Sequence, residues 1–146
     1  MANQTAKQPD ITRDKIVDAA YQEIYRQGFQ AASLSNILAN TGLTKGALYH
    51  HFPNKDELGL AVIEEVIREG FEVMIFAPLR EADDPMETLI ELIQRKAKSA
   101  TLESVTLGCA LNNLIQEMSP LDAEFKRRLN GILKTWQDVV TDALKR

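Results

Sequence analysis

The chain has 146 residues, 45% of them hydrophobic, and a formal net charge of -4; this is the size of one domain or two small ones with material for a packed core, and it excludes a disordered chain. Its single cysteine, Cys109, excludes an internal disulfide and a cysteine-rich zinc site. No apolar run approaches the length of a membrane span, and MANQTAKQPD at the N-terminus lacks the apolar centre of a secretion signal, so a cytoplasmic protein with no membrane partner is expected.

A first helix is expected from a Thr12 cap, with Ile11 and Ile16 as a hydrophobic staple. Ile16, Val17, Ala20, Tyr21 and Ile24 then recur at helical spacing, and Gly28 before Phe29 supplies the stop. Ser33 caps a short second helix reaching to about Asn40. Gly42 fits the position past a helix end where a positive φ is needed, and Thr44 caps a third helix from Lys45 to about His51. Helices joined by so short a linker cross steeply, which is the geometry of a helix-turn-helix over 33–52.

At about 100° per residue, Leu48 and Phe52 share one side of the third helix. Gly46, Ala47 and His50 take the other, flanked by Lys45 and Tyr49. Small, basic and hydrogen-bonding groups thus gather at the N-terminal end, the end a recognition helix presents to the major groove. Residues 1 to 60 carry six basic residues (Lys7, Arg13, Lys15, Arg26, Lys45, Lys55) and six acids (Asp10, Asp14, Asp18, Glu23, Asp56, Glu57), so the segment is neutral. No acid lies between Glu23 and Asp56, while Arg26, Lys45, Lys55 and both histidines fall there or at its edge. The local field is therefore positive, and DNA affinity is expected from a few phosphate contacts per subunit, helped by helix N-termini.

Asn54 starts a fourth helix with Glu57 at the capping-box position and an apolar row of Leu58, Val62, Ile63, Val66, Ile67, Phe71 and Met74, ending before Pro78. Residues 77 to 86 read as a loop, and Asp84, Pro85 and Glu87 open a fifth helix with Leu89, Ile90, Leu92, Ile93 and Ala97 inside. The sixth predicted helix buries a stripe of Leu107, Ala110, Leu111, Leu114, Ile115 and Met118 opposite Asn112, Asn113, Gln116 and Glu117. Ser119 and Pro120 open a seventh, whose Leu121, Phe125, Leu129, Ile132, Trp136, Val139, Val140 and Ala143 keep helical spacing to the end. The expectation is an all-α fold: a DNA-binding domain over 10–70, joined by the long fourth helix to a helical ligand-binding and dimerisation domain over 71–146.

Gly28-Phe29, Ser33, Ile37, Gly42-Leu43-Thr44-Lys45-Gly46, Tyr49, His51-Phe52 and Asn54-Lys55 with Leu58 stand in an order and spacing that resembles the tetracycline-repressor (TetR/AcrR) family over about residues 10 to 70. Thr41 departs from that family's usual alanine before the turn glycine. The resemblance implies a homodimeric repressor that enters successive major grooves of a palindromic operator on double-stranded DNA and is released by a small-molecule inducer. Carried onto this sequence, it implies that Lys45, Gly46, Tyr49 and His50 touch bases or phosphates, with Ala47 on the same face and Thr44 at the helix start. It further implies that His51 supports the backbone contacts, that Lys55 binds phosphate, and that Ser33 and Ser35 add backbone contacts. The Tyr49 hydroxyl is expected to reach a phosphate while its ring packs on the core.

The segment LGCALNNLIQEMSPLD is similar to one in a subset of these regulators, some with electrophile or redox responses, which makes Cys109 a candidate sensor thiol. The competing reading is a small buried hydrophobe, because no basic residue lies nearby in sequence to stabilise a thiolate. Members of the family have two further helices after the counterpart of the seventh, whereas this sequence stops at Arg146. The expectation is an incomplete second domain with an exposed apolar face near the C-terminus; dimerisation through the sixth and seventh helices, or weak dimerisation, is the alternative. A second function class is a helical small-molecule-binding or adaptor protein that keeps the head but has lost operator control. No cofactor, metal site or catalytic residue is expected: His50 and His51 project about 100° apart, and no triad order is present.

Overall fold

A computed structural model describes residues 10–146, and the expectation made for the N-terminal stretch falls almost wholly outside them. Among the described residues the chain is helical throughout, with no strand. Helix α1 spans Ile11–Gln27, and its cap is Asp10, whose carboxylate accepts from the Arg13 N–H. Thr12 therefore lies inside the helix, and Ile11, 68% exposed, forms no staple. Ile16, Val17, Ala20 and Ile24 are buried as their spacing requires. Gly28 ends α1 at φ 83° and ψ 164°, a backbone region open in practice only to glycine.

Helix α2 is Leu34–Ala39 and α3 is Lys45–His51, with Ser33 and Thr44 as the expected caps. The linker, residues 40–44, takes in Asn40, the expected end of the second helix, because α2 stops at Ala39. Gly42 takes φ 69°, as a chain leaving a helix C-terminus needs. The Thr41 hydroxyl donates to the Leu38 carbonyl at 2.9 Å and accepts from the Leu43 N–H at 3.1 Å. An alanine there would leave both bonds to water, so the departure at Thr41 stitches the turn.

Helix α4 starts at Lys55–Ala61 with Asn54 as cap and runs without a break through residue 81. Two wider π-helical stretches, Val62–Arg68 and Glu72–Phe76, interrupt its α-helical geometry. They account for two departures from the expected pattern. Pro78 follows directly on the second wide stretch, within the segment Ala77–Glu81, and the helix passes it instead of ending. The wide turns also delay the helix phase: Met74 points outward at 59% exposure, and Phe76 and Leu79 take the buried places. Phe71 and Phe76, five residues apart, both meet Trp136, with ring centroids 6.1 and 6.3 Å away.

Helix α5, Pro85–Lys98, has the expected Asp84 cap, but Ile90 and Ile93 are exposed instead of interior. The predicted sixth helix is two. Thr101 and Ser104 form a reciprocal capping box that starts α6, Leu102–Leu107, and Gly108 at φ 79° ends it. Helix α7, Ala110–Met118, buries Leu111, Leu114 and Met118. Leu107 thus belongs to a separate element. Helix α8, Ala123–Lys145, is capped by Asp122, which accepts from the N–H groups of Glu124 and Phe125; Ser119 and Pro120 do not open it, and Leu121 is exposed.

One continuous core extends from Ile16 and Leu48 of the first three helices through Leu58, Ile63 and Phe76 of α4 to Phe125, Leu129 and Ile132 of α8. The apolar face expected near the C-terminus is small there, limited to Leu133 and Leu144 on α8. Further exposed apolar groups sit on α5 and α6, Met86, Ile90, Ile93, Leu102 and Val105, and on α4, Val73 and Met74. Among the described residues no helix is long and apolar enough to cross a membrane.

Candidate nucleic-acid interface

Helix α3 is held by its inner face and presents its outer one. Leu48 and Phe52 are buried, while Lys45, Gly46, Tyr49 and His50 are exposed and Ala47 is half-buried. The Thr44 hydroxyl accepts from the Ala47 N–H at 3.2 Å, which satisfies one of the free donors of the first turn. No Cβ-sized obstacle stands near Gly46 beyond the Thr44 hydroxyl itself, so the backbone there can approach a surface closely. Tyr49 is 50% exposed, so about half of its side chain faces solvent.

The flanking residues divide between interface and scaffold. Ser35 is exposed, and Ser33 is half-buried with its hydroxyl accepting from the Asn36 N–H. Glu23 of α1 reaches the same end of α2, accepting from the Asn36 side chain at 3.0 Å and the Ser33 N–H at 3.4 Å. His51 turns inward, its Nδ1 3.6 Å from the Asp10 carboxylate, so it braces α3 against the start of α1. Its ring meets that of His50 edge-on at 77°, and among the described residues no group of three ligating side chains could hold a metal.

The positive field is more local than the sequence implied. Arg26 pairs with Glu103 of α6 at 3.0 Å, so an acid from outside the window faces its charge. Lys55 lies over the Phe29 ring at 4.8 Å and donates to the Gln30 carbonyl at 3.1 Å, a bond that uses one of an ammonium's three donors. Arg13 packs over Phe52 and makes a two-pronged pair with Glu65 of α4; hydrogen bonding to that carboxylate holds its guanidinium above the ordinary value. These ties fix α1, α3 and α4 as a unit. The Glu65 and Glu103 partners lie 52 and 77 residues from the arginines they meet, and no local pattern announces them. Cys109, the candidate sensor, is exposed at the start of α7, so the buried-hydrophobe reading does not hold.

The family model for bacterial regulatory proteins of the tetR family matches residues 16–62, which contain α2, α3 and the turn between them. An HTH-type transcriptional regulator from the lacX 3' region of Lactococcus lactis is 29% identical over 133 residues, covering 91% of this chain and 68% of the relative. The HTH-type regulator YxaF of Bacillus subtilis is 30% identical over 131 residues, covering 88% of this chain and 67% of the relative. The chain belongs to the TetR family of transcriptional regulators. The regulatory protein TetR of Rhodobacter sphaeroides superposes with a TM-score of 0.81 at 25% identity, over 92% of this chain and 71% of that one. This TetR-family protein is thus a DNA-binding regulator, of a family that consists of regulators and not of enzymes. It spans 54–71% of the length of the curated relatives that it matches along about nine tenths of itself.

Proposed function

We propose that this TetR-family protein is a cytoplasmic repressor that binds a palindromic operator as a homodimer and leaves it when a small-molecule inducer binds. The observation that carries the reading is the split of α3 into an anchored face, Leu48 and Phe52, and a presented face of Lys45, Gly46, Tyr49 and His50. Small groups and hydrogen-bond donors at the start of an exposed helix suit close approach to base edges and phosphates. On this reading Thr44, Lys45, Gly46, Ala47, Tyr49 and His50 meet the groove. Ser33, Ser35 and Lys55 add contacts to the sugar-phosphate chain, with His51 as a brace. Two copies are needed to reach successive grooves, and the exposed apolar groups of α5 and α6 offer surface that association would bury.

The inducer site of this reading lies between α1 and α7. A cavity of about 50 Å³ there is lined by Tyr21, Ile24, Tyr25, Asn113, Leu114 and Glu117. Ligand pockets run to roughly 300–1,000 Å³. An inducer entering here must therefore push the two helices apart, and that separation would act on the head. A larger depression of about 450 Å³ is lined by Arg80, Thr135, Asp138, Val139, Asp142 and Arg146, none of which belongs to the head. The test is salt-dependent binding of the protein to a palindrome in the DNA beside its own gene. Binding to that duplex no tighter than to an unrelated one at every salt concentration would refute the reading and leave a small-molecule-binding or adaptor protein in its place.

A further inference from the structure

The turn between α1 and α2 is the point where the head meets α7. Glu117, near the end of α7, accepts from the Phe29 N–H through one carboxylate oxygen and from the Gln30 N–H through the other, both at 2.9 Å. The Gln30 side chain adds a longer bond at 3.5 Å. Two successive backbone N–H groups make a small concave anion site, here filled by a carboxylate from 87 residues away. The C-terminal end of α1 carries partial negative charge, which by itself would repel an anion, so directed hydrogen bonds hold Glu117 in place. Gly28 allows it: a Cβ at that position would stand 3.0 Å from the carboxylate. The same residue 30 that receives Glu117 through its N–H holds the Lys55 ammonium through its carbonyl.

We infer that Glu117 is a positioning residue for DNA binding: from α7 it fixes the 28–30 turn and, through Gln30, the Lys55 ammonium at the start of α4. The inference rests on the DNA-binding reading. It gives the cavity beside Glu117 a route to the head, because a shift of α7 away from α1 breaks two backbone bonds in the turn and frees Lys55 from its fixed place. Glu117 touches no DNA; it acts through the turn.

The probe is a duplex selected by the wild-type protein from a random pool, titrated over a range of salt concentrations with Glu117→Gln, Glu117→Asp, Lys55→Ala and the double variant Lys55→Ala with Glu117→Gln. Amide hydrogen exchange at Phe29 and Gln30 is followed in parallel. Glu117→Gln is expected to speed exchange at both amides and weaken binding about tenfold, the loss of roughly one charged hydrogen bond. It should also flatten the log K against log salt slope by about 0.9, the share of one phosphate contact. Adding it to Lys55→Ala should weaken binding no further. Glu117→Asp, with the charge drawn back by one methylene, should protect one amide and bind with intermediate affinity, and it carries the test if the glutamine variant unfolds. Wild-type exchange at Phe29 and Gln30, or faster exchange with an unchanged salt slope, overturns the inference. A wild-type protein that selects no duplex refutes the DNA-binding reading itself, which is a different result from a selected duplex bound equally well by every Glu117 variant.

Discussion

Gly59 of α4 lies so close to Phe29 that a Cβ built on it would stand 2.5 Å from the edge of the ring. The same Cβ would be 2.8 Å from Phe125, whose ring centroid is 4.7 Å from that of Phe29. Both rings are buried and have no room to retreat. Gly59→Ala should therefore destabilise the protein by about 1–3 kcal/mol, the cost of overpacking a filled core. Urea unfolding measures it, and a midpoint at or above that of the wild type would show that the rings yield.

Gly28 and Gly42 both have positive φ, yet they should respond differently to alanine. A Cβ on Gly42 would meet nothing within 4 Å, so Gly42→Ala should cost only the left-handed backbone penalty of about 1–2 kcal/mol. Gly28 has ψ 164° and the Glu117 carboxylate against it, so Gly28→Ala combines a backbone penalty of about 1–3 kcal/mol with the displacement of Glu117. Thermal unfolding of the two variants side by side should rank Gly28→Ala as the more damaging.

Lys45→Ala and Tyr49→Phe should leave stability near that of the wild type, because both side chains are exposed. Each substitution should weaken operator binding by about 1–3 kcal/mol, and Lys45→Ala should also lower the salt slope by about one. Fluorescence anisotropy on a labelled duplex reads both quantities. Full affinity in the double variant would place the DNA-binding face on some other surface.

Cys109 occupies the cap position of α7 with an extended backbone, φ -95° and ψ 119°, but makes no side-chain cap bond. Serine has the oxygen that the position lacks. Cys109→Ser should raise stability by about 1 kcal/mol, and a lowered melting temperature would show that the thiol packs in a way its exposure does not suggest.

Glu124 accepts hydrogen bonds from Arg127 and Arg128 on the next turn of α8, and these bonds pull its carboxyl down to about 2. A carboxyl lowered on folding stabilises the folded state above its unfolded value near 4.5, and that contribution disappears as pH falls toward 2. The Tm difference between wild type and Glu124→Gln should thus be largest above pH 5, shrink toward pH 2 and weaken with added salt. The group is at the surface, so the effect should be small; a difference that grows with acidity would reverse the assignment.

The caps and stops of the head are legible in the sequence because each is a local event. Ser33, Thr44, Asn54 and Asp84 sit within three residues of the N–H groups they serve, and a glycine with positive φ can be read from its neighbours. The inner and outer faces of α3 follow from the same short range. The phase of α4 does not, since a wheel of constant pitch carries Met74 inward and takes no account of the two wide turns that bring Phe76 there instead. At Asp10 and Asp122 the chain uses an acid two residues away from an equally plausible hydroxyl or from a Ser-Pro pair. Glu117 reads in the sequence as one polar residue opposite an apolar stripe, and its attachment to Phe29 and Gln30 depends on a tertiary approach that no spacing encodes.

The contact between Phe29 and Phe125 makes the reading head a poor candidate for transplantation. A hybrid regulator that joined residues 10–70 of this chain to a foreign sensor would strip away the ring that seals the 28–30 turn, along with Glu117 and the carbonyl of Gly108 that receives the Tyr25 hydroxyl. Such a hybrid would keep its DNA specificity only if the recipient supplied an aromatic residue and a carboxylate at matching places.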